Sequence, residues 1–301
     1  MSDESPPQCP ICGSPDPILR YQITRFQVLC CRQCTQIYLY PLLSPEEIRE
    51  MFAELYTSGD GSVPELKTYY AFTYDDVASN PLVQLYESWL DKLERHRSPG
   101  TLLDVGCGTG LFMSVARRRG WDTFGIDDSV EATTYARDHF GLDVFVGDFS
   151  EFEAERRRFD AITGWDIIEH AREPLALLNA MRSCLAPGGV VGLSTPNQRS
   201  ILDVVAGALY RLSGGRVTGP LEKFYIEQHF LYFTPDTLTR SLERAGFEVA
   251  QLVREGTDLR RLTLSPFMRF VLESLFLAAR ATGLQNRLFA VARARVEPPV
   301  A

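Results

Sequence analysis

The sequence predicts an α/β protein whose main part is a doubly wound, mostly parallel sheet, preceded by a small cysteine-rich module and a helical linker. Three observations carry this expectation. From residue 101 onwards short apolar β-like runs alternate with helix-length segments, and strands separated by helices pair in parallel with helices on both faces. A glycine-rich turn, Gly106-Cys107-Gly108-Thr109-Gly110, lies between the first of these runs and the helix after it. Five of the seven cysteines fall within the first 34 residues, in two tight groups.

At 301 residues the chain has room for one complete α/β domain and a small additional unit. Apolar residues at 45% and charged residues at 23% are ordinary for a globular protein, and a chain this long can fold without disulfides. A net charge of −8 and a pI near 5.2 argue against a general nucleic-acid grip, which needs clustered lysine and arginine. The basic runs Arg117-Arg118-Arg119 and Arg156-Arg157-Arg158 read as solvated faces. The first residues, MSDESPPQCP, lack the apolar core of a signal peptide. Arg269 and Glu273 interrupt Leu264 to Ala279, the nearest approach to an apolar span. The expected location is cytoplasmic, with no transmembrane segment.

Cys9-Pro-Ile-Cys12 and Cys31-Arg-Gln-Cys34 are two Cys-x2-Cys pairs separated by 18 residues, the spacing of a tetrahedral four-cysteine zinc site. Disulfides are disfavoured in the expected compartment. Were Cys30 to replace Cys31, the second pair would have the wrong spacing. Gly13 suits the tight turn after the first pair, whereas Thr35 follows the second pair, where glycine is common. A zinc ion held by Cys9, Cys12, Cys31 and Cys34 would stabilise folding and do no chemistry. Residues 1–43 are assigned to this ribbon and 44–98 to a helical linker or lid. Ser44-Pro45-Glu46-Glu47 is a helix start, the stretch Thr57 to Ser62 is a breaker, and Leu82, Leu85, Trp89, Leu90 and Leu93 share one face of a helix over about 81–97.

Strands are expected at 101–105, 122–126, 143–147, 159–164 and 189–195. Helices are expected from the glycine turn to about 119, from Ser129 to His139 and over 174–185. The segment from about 197 to 234 lacks strand period and is expected to cap the site. A helix from Pro235 to Ala245, a strand at 247–253, an apolar helix at about 265–282 and a strand at 288–295 complete the chain. Phe267, Phe270, Val271, Ser274, Leu275 and Ala278 share a face of the apolar helix. Packing is its expected use, with a dimer face or peripheral membrane contact as alternatives.

Glycine in Asp104-Val105-Gly106-Cys107-Gly108-Thr109-Gly110 lets the backbone turn sharply and a ligand approach the main chain. Nicotinamide-binding domains use a similar turn, but their fingerprint wants glycine at position 111, where Leu111 stands. The acid before the turn suits a ligand bearing a cationic amino group and a sulfonium. Asp127 ends the second strand, 21 positions after Gly106, where an acid accepts from ribose hydroxyls. Gly147-Asp148-Phe149 ends the third, where a carboxylate can accept from an adenine amino group while the ring packs nearby. Asp128, one step beyond its strand, is expected to cap the next helix. Cys107 is read as a small turn residue rather than a reactive thiol.

Leu102 to Gly110, Gly125-Ile126-Asp127, Gly147-Asp148-Phe149, Phe159-Asp160-Ala161-Ile162 and Leu185-Ala186-Pro187-Gly188-Gly189 resemble the class I S-adenosylmethionine-dependent methyltransferases. The resemblance covers about 99–296. It implies a seven-stranded sheet whose last strand, at 288–295, is antiparallel, and S-adenosylmethionine as cosubstrate. It places Gly106, Gly108 and Gly110 at the methionine end, Asp127 at the ribose, and Asp148 and Phe149 at the adenine; Asp104 joins them as a cofactor-binding candidate, and Trp165 is expected to shield the methionine moiety, with acceptor binding as the alternative.

An acceptor hydroxyl or acidic carbon needs a base near its proton. His170, in Trp165-Asp166-Ile167-Ile168-Glu169-His170, and His229 are the candidates, whereas His96 and His139 read as helix-end surface residues. Glu169-His170 resembles the methyltransferases of quinone precursors, and a divalent ion on Asp166, Glu169 and His170 is an alternative role. A zinc ribbon ahead of a methyltransferase domain resembles the bacterial deoxysugar C-methyltransferases, which follow it with tyrosine-bearing helices; here Tyr69, Tyr70 and Tyr74 occupy the linker, from which they would reach over the acceptor site. Those enzymes carry Tyr-His-Glu-His where this chain has Ile226-Glu227-Gln228-His229. O-methylation of a sugar, lipid or secondary-metabolite hydroxyl and methylation of a sugar carbon both stay open. The expected partner is a small-molecule acceptor; a catalytically inactive scaffold or a zinc-ribbon binding module is the competing reading.

Overall fold

The computed structural model describes residues 8–44, 46–48, 71–152 and 157–295. Pro45, the breaker at 57–62, Tyr69, Tyr70 and Arg156 lie outside them. The chain opens with three short antiparallel strands, β1 (Pro17–Gln22), β2 (Gln27–Cys31) and β3 (Ile37–Tyr40). Their alternation is that of a sheet covered on both sides. Val28, Ile37 and Leu39 join one core with Tyr21 and Phe26, while Leu29, Cys31 and Tyr38 join another with Cys9 and Ile11.

Helix α1 (Pro81–Glu94) starts where expected, with Asn80 accepting from the Leu82 N–H at 2.8 Å and proline in the first turn. It leads into β4 (Thr101–Val105), α2 (Leu111–Arg118), β5 (Asp122–Asp127), α3 (Val130–Phe140), β6 (Asp143–Val146), β7 (Phe159–Trp165) and α4 (Pro174–Ser183). Strand β8 (Leu185–Pro196) starts four residues ahead of the expected 189, because its first residues already pair with the start of β7. The segment expected to lack strand period holds α5 (Ile201–Leu212), the single turn α6 (Gly219–Glu222) and the two-residue β9 (Leu231–Tyr232). Then follow α7 (Pro235–Arg244), β10 (Phe247–Glu255), α8 (Pro266–Thr282) and β11 (Arg287–Ala294).

The large sheet has seven strands in the order β10-β11-β8-β7-β4-β5-β6, with β11 antiparallel to both neighbours. It is the class I methyltransferase fold. Adjacent residues of one strand face opposite layers: Leu102, Val190 and Phe289 pack with α1 and α2, whereas Leu103, Val191 and Leu288 pack with α4 and α7. A second sheet, in the order β1-β2-β3-β9, joins the N-terminal strands to the segment before α7.

Three local expectations change. Ser129, not Asp128, caps α3, accepting from the Ala132 N–H at 3.2 Å. Of the run 117–119, Arg117 and Arg118 are exposed as expected, whereas the half-buried Arg119 pairs with Glu87, Asp91 and Glu94. On α8, Phe267 and Phe270 of the expected face are exposed, whereas Leu275 of that face lines a cavity together with Met268, Leu272 and Phe276. No helix among the described residues is long and apolar enough to cross a membrane.

Candidate functional site

A cavity of about 1670 Å³ lies at the C-terminal edge of the parallel strands, where open α/β sheets place their ligands. Its floor is the turn between β4 and α2. Gly106, Gly108 and Gly110 all have positive φ, at 72°, 52° and 79°, a region that penalises side chains. A Cβ on Gly106 would sit 2.0 Å from Ile167 Cδ1, so that side chain would have to turn aside. The turn is held by the Gly106 N–H donating to the Ile126 carbonyl at 2.7 Å. Asp127 accepts from the Gly108 N–H at 2.8 Å and from the Ser129 N–H at 3.0 Å. Burial nevertheless raises its carboxyl to about 6.

Asp104, expected at the methionine end, is buried beneath the turn and accepts from Thr163 Oγ1 at 2.6 Å. Burial raises its carboxyl to about 8, only partly offset by Thr163. The sequence offered no sign of Thr163, since β7 meets β4 only in the folded sheet. Asp148 is exposed at the cavity edge, and Phe149 is packed into the core with one face on the cavity. Trp165 lines the cavity from an aromatic cluster, 4.6 Å from Trp89 and 4.9 Å from Phe112 between ring centres. Cys107 is buried and its thiol is pushed up, as befits an inert turn residue.

His170 and His229 meet across the cavity wall, their ring centres 4.7 Å apart. His170 Nδ1 donates to the Gln228 carbonyl at 2.8 Å, and the ring is also held by the Asp166 main chain. Burial lowers both imidazoles, that of His229 the further. Glu169 between them is fully buried; Thr195 Oγ1 donates to its Oε2 at 2.8 Å, while Oε1 has no hydrogen-bond partner among the described residues. Burial raises this carboxyl to about 8. Glu169, His170 and His229 bring three ligand atoms within 4.8 Å of one another. Asp166, expected as the third member, is instead paired with the buried Arg287 and held at a φ of 57°. Tyr74 packs edge-on against Tyr135 of α3, away from the histidines. His96 bonds Gln251 at 3.1 Å and His139 stacks on Tyr135.

Beyond the histidines the cavity is walled by Leu202 and Val205 of α5 and by Met268, Leu272, Leu275 and Phe276 of α8. None of these is legible as a site residue in the sequence, because ordinary aliphatic side chains become a wall only when two helices face each other.

The N-terminal cysteines form a second constellation. Cys9, Cys12, Cys31 and Cys34 bring their sulfurs within 4.8 Å of one another, with Cys9–Cys34 and Cys12–Cys31 each at 3.5 Å. A tetrahedral zinc–thiolate site with bonds of about 2.3 Å separates its sulfurs by roughly 3.8 Å, so the set fits. Cys30 points to the Cys31 and Thr35 carbonyls and stays outside it. Gly13 and Thr35 both take positive φ after their knuckles, at 73° and 62°.

A family model described as a methyltransferase domain matches residues 82–252, more than half of the chain, and the chain belongs to that family. It is 34% identical over 155 residues to a ubiquinone biosynthesis O-methyltransferase of Dinoroseobacter shibae, covering 49% of this chain and 59% of that protein. It is 32% identical over 183 residues to a protein of the same name from Azoarcus sp., covering 57% and 75%. The chain thus spans about three fifths of the length of the first curated relatives it matches. Its fold is similar to that of magnesium protoporphyrin IX methyltransferase from Synechocystis PCC 6803 with bound SAH, at a TM-score of 0.52 and 16% identity over 82% of this chain and 94% of that one.

Proposed function

We propose that the chain is an S-adenosylmethionine-dependent methyltransferase that acts on a hydroxyl of a small molecule with an apolar body. One observation carries the reading: a single cavity runs from the glycine turn and Asp127, past a buried histidine pair, to a wall of aliphatic side chains. The names of the relatives, as O-methyltransferases, support the hydroxyl. S-adenosylmethionine supplies an electrophilic methyl group on a sulfonium. Gly106 and Gly108 give it close access to the main chain, Asp127 would accept from its ribose, and Asp148 with Phe149 would flank its adenine. Asp104 offers a carboxylate to its cationic end. In-line displacement gains most from alignment, so a preformed cavity with the acceptor wedged between α5 and α8 supplies the positioning.

His170 is the better-oriented base. Its ring is fixed by the Gln228 carbonyl and faces the cavity with His229 beside it, placing an imidazole next to the acceptor proton. Both imidazoles are lowered, so they are neutral at pH 7 and the acid limb of the rate profile lies below about 6.5. The zinc ribbon is read as structural. A second reading is favoured by the partnerless Glu169 Oε1: a divalent cation on Glu169, His170 and His229.

The test is melting with S-adenosylhomocysteine, followed by methylation of catechols bearing alkyl chains of increasing length. The expected result is a rise in Tm, turnover that improves with chain length, and a fall of about 10²–10⁴-fold in His170→Asn. Absence of any Tm shift, with calorimetry also silent, overturns the reading. Activity that disappears with chelator and returns with a divalent ion favours the second.

A further inference from the structure

The ribbon meets the rest of the molecule at the segment that carries His229. After this residue, β3 pairs with β9 in the register Ile37–Tyr232 and Tyr38–Leu231. The Leu39 N–H donates to the Phe230 carbonyl at 3.0 Å, and the buried Gln36 Nε2 donates to the Tyr232 carbonyl at 3.1 Å. Before His229, Arg25 pairs with Glu227, and Thr24 Oγ1 donates to Glu222 at 2.5 Å. Arg20 of β1 pairs with Asp203 of α5 at 2.5 Å, and Asp203 in turn accepts from the Tyr225 hydroxyl at 3.0 Å. The Tyr225 ring lies 4.7 Å from that of Tyr232, whose hydroxyl donates to the Ile226 carbonyl at 3.1 Å. The His229 N–H donates to the same carbonyl at 3.1 Å.

We infer that the N-terminal ribbon is a structural part of the acceptor site, with Arg20 a positioning residue that acts through Asp203, Tyr225 and Tyr232 on the placement of His229. The inference rests on the reading above that His170 and His229 face the acceptor. Its physical basis is the poverty of the segment itself. Between α5 and α7 it has one helical turn and a two-residue strand, so its own backbone bonds cannot fix it and its neighbours must. The neighbours are the ribbon on one side and Glu169 on the other, whose carbonyl accepts from the Phe230 N–H at 2.8 Å. Asp203 is nearly buried, so losing Arg20 leaves a carboxylate without its counter-charge. Asp203 must then turn towards water, which takes its Oδ1 from the Tyr225 hydroxyl and leaves that hydroxyl to Gln198 alone.

The experiment is imidazole nitrogen NMR of the full-length chain with labelled histidine, each of the four signals assigned by His→Asn substitution. In Arg20→Met the His170 and His229 signals are expected to shift or broaden while those of His96 and His139 stay in place. S-adenosylhomocysteine affinity is expected to remain within twofold of the parent chain. Arg20→Lys, which keeps the counter-charge, should restore the parent spectrum, as should Arg20→Met combined with Asp203→Asn. Arg25→Ala removes the exposed pair to Glu227 and the contact of Arg25 with the Phe26 ring, and should move the same two signals, which keeps the test decisive if Arg20→Met does not fold. Unmoved His170 and His229 signals in Arg20→Met or Arg25→Ala overturn the inference; so does a change in all four signals with loss of S-adenosylhomocysteine binding. A parent chain that binds no S-adenosylhomocysteine sinks the methyltransferase reading instead, and leaves the ribbon-to-histidine coupling to stand or fall on the NMR.

Discussion

Asp127 and Asp104 illustrate two ways in which a carboxylate is held beside the glycine turn. Asp127 is fastened by two backbone N–H groups, so its orientation is set before anything binds, and only its remaining lone pairs are available to a ribose. Asp127→Ala is expected to weaken S-adenosylhomocysteine binding by about 10–100-fold, the cost of one or two hydrogen bonds to a charged acceptor, measured by titration calorimetry. Asp104 behaves differently because burial raises its carboxyl to about 8. A raised acid contributes stability that is complete below its unfolded value near 4 and is lost as the pH rises through about 8. The ligand-free protein should therefore melt at lower temperature at pH 8.5 than at pH 6, and Asp104→Asn should reduce that slope. A sulfonium nearby favours the charged form, so binding S-adenosylmethionine at pH 7 should release up to about one proton. Calorimetry in buffers of different ionisation enthalpy reads this release; Asp104→Asn should abolish it. The acids were legible in the sequence because each stands at a strand end; Thr163, which tunes Asp104, was not, since nothing in the chain order brings β7 beside β4.

Elements were read well wherever a local signal was strong. Asn80 with Pro81 and Thr234 with Pro235 both start helices, and the glycine turn sits between strand and helix as its residues require. Elements failed where a partner from elsewhere defines them. β9 has two residues and no periodicity, and exists because β3 pairs with it. On α8 both sides are apolar, so sequence cannot tell the side facing the cavity from the exposed side bearing Phe267 and Phe270. Thr35 is a local conflict of another kind. A β-branched residue at a φ of 62° is held there by the second knuckle at a cost of roughly 1–2 kcal/mol. Thr35→Gly should accordingly stabilise the ribbon by about 1 kcal/mol, seen as slower amide exchange in residues 27–40; faster exchange would mean that the threonine makes a contact worth more than its strain.

At the scale of the molecule, the ribbon and the catalytic sheet are tied through a shared second sheet rather than by a linker alone. The four sulfurs are spaced for one zinc ion, and a structural zinc contributes folding free energy directly. Metal analysis should find about one zinc per chain, and Cys12→Ser or a strong chelator should lower the Tm. Because β3 carries β9, amide protection should be lost in residues 222–233 as well as in the ribbon, while the strands β4 to β8 keep theirs. Loss confined to residues 9–40 would show that the two units are mechanically separate.

What the sequence determined by itself is whatever depends on spacing along the chain: the two cysteine knuckles, the positive-φ glycines of the turn, the acids at the ends of successive strands, and hence the parallel sheet and its cosubstrate class. Those features are local, since a turn conformation or a ligand spacing is set within a few residues. The tertiary structure alone decided which histidines meet, which aliphatic side chains wall the cavity, and that the ribbon reaches the segment bearing His229. His170 and His229 stand 59 positions apart in the chain and are brought together by burial and by hydrogen bonds between distant segments, Phe230 to the Glu169 carbonyl and His170 to the Gln228 carbonyl, which no local pattern records.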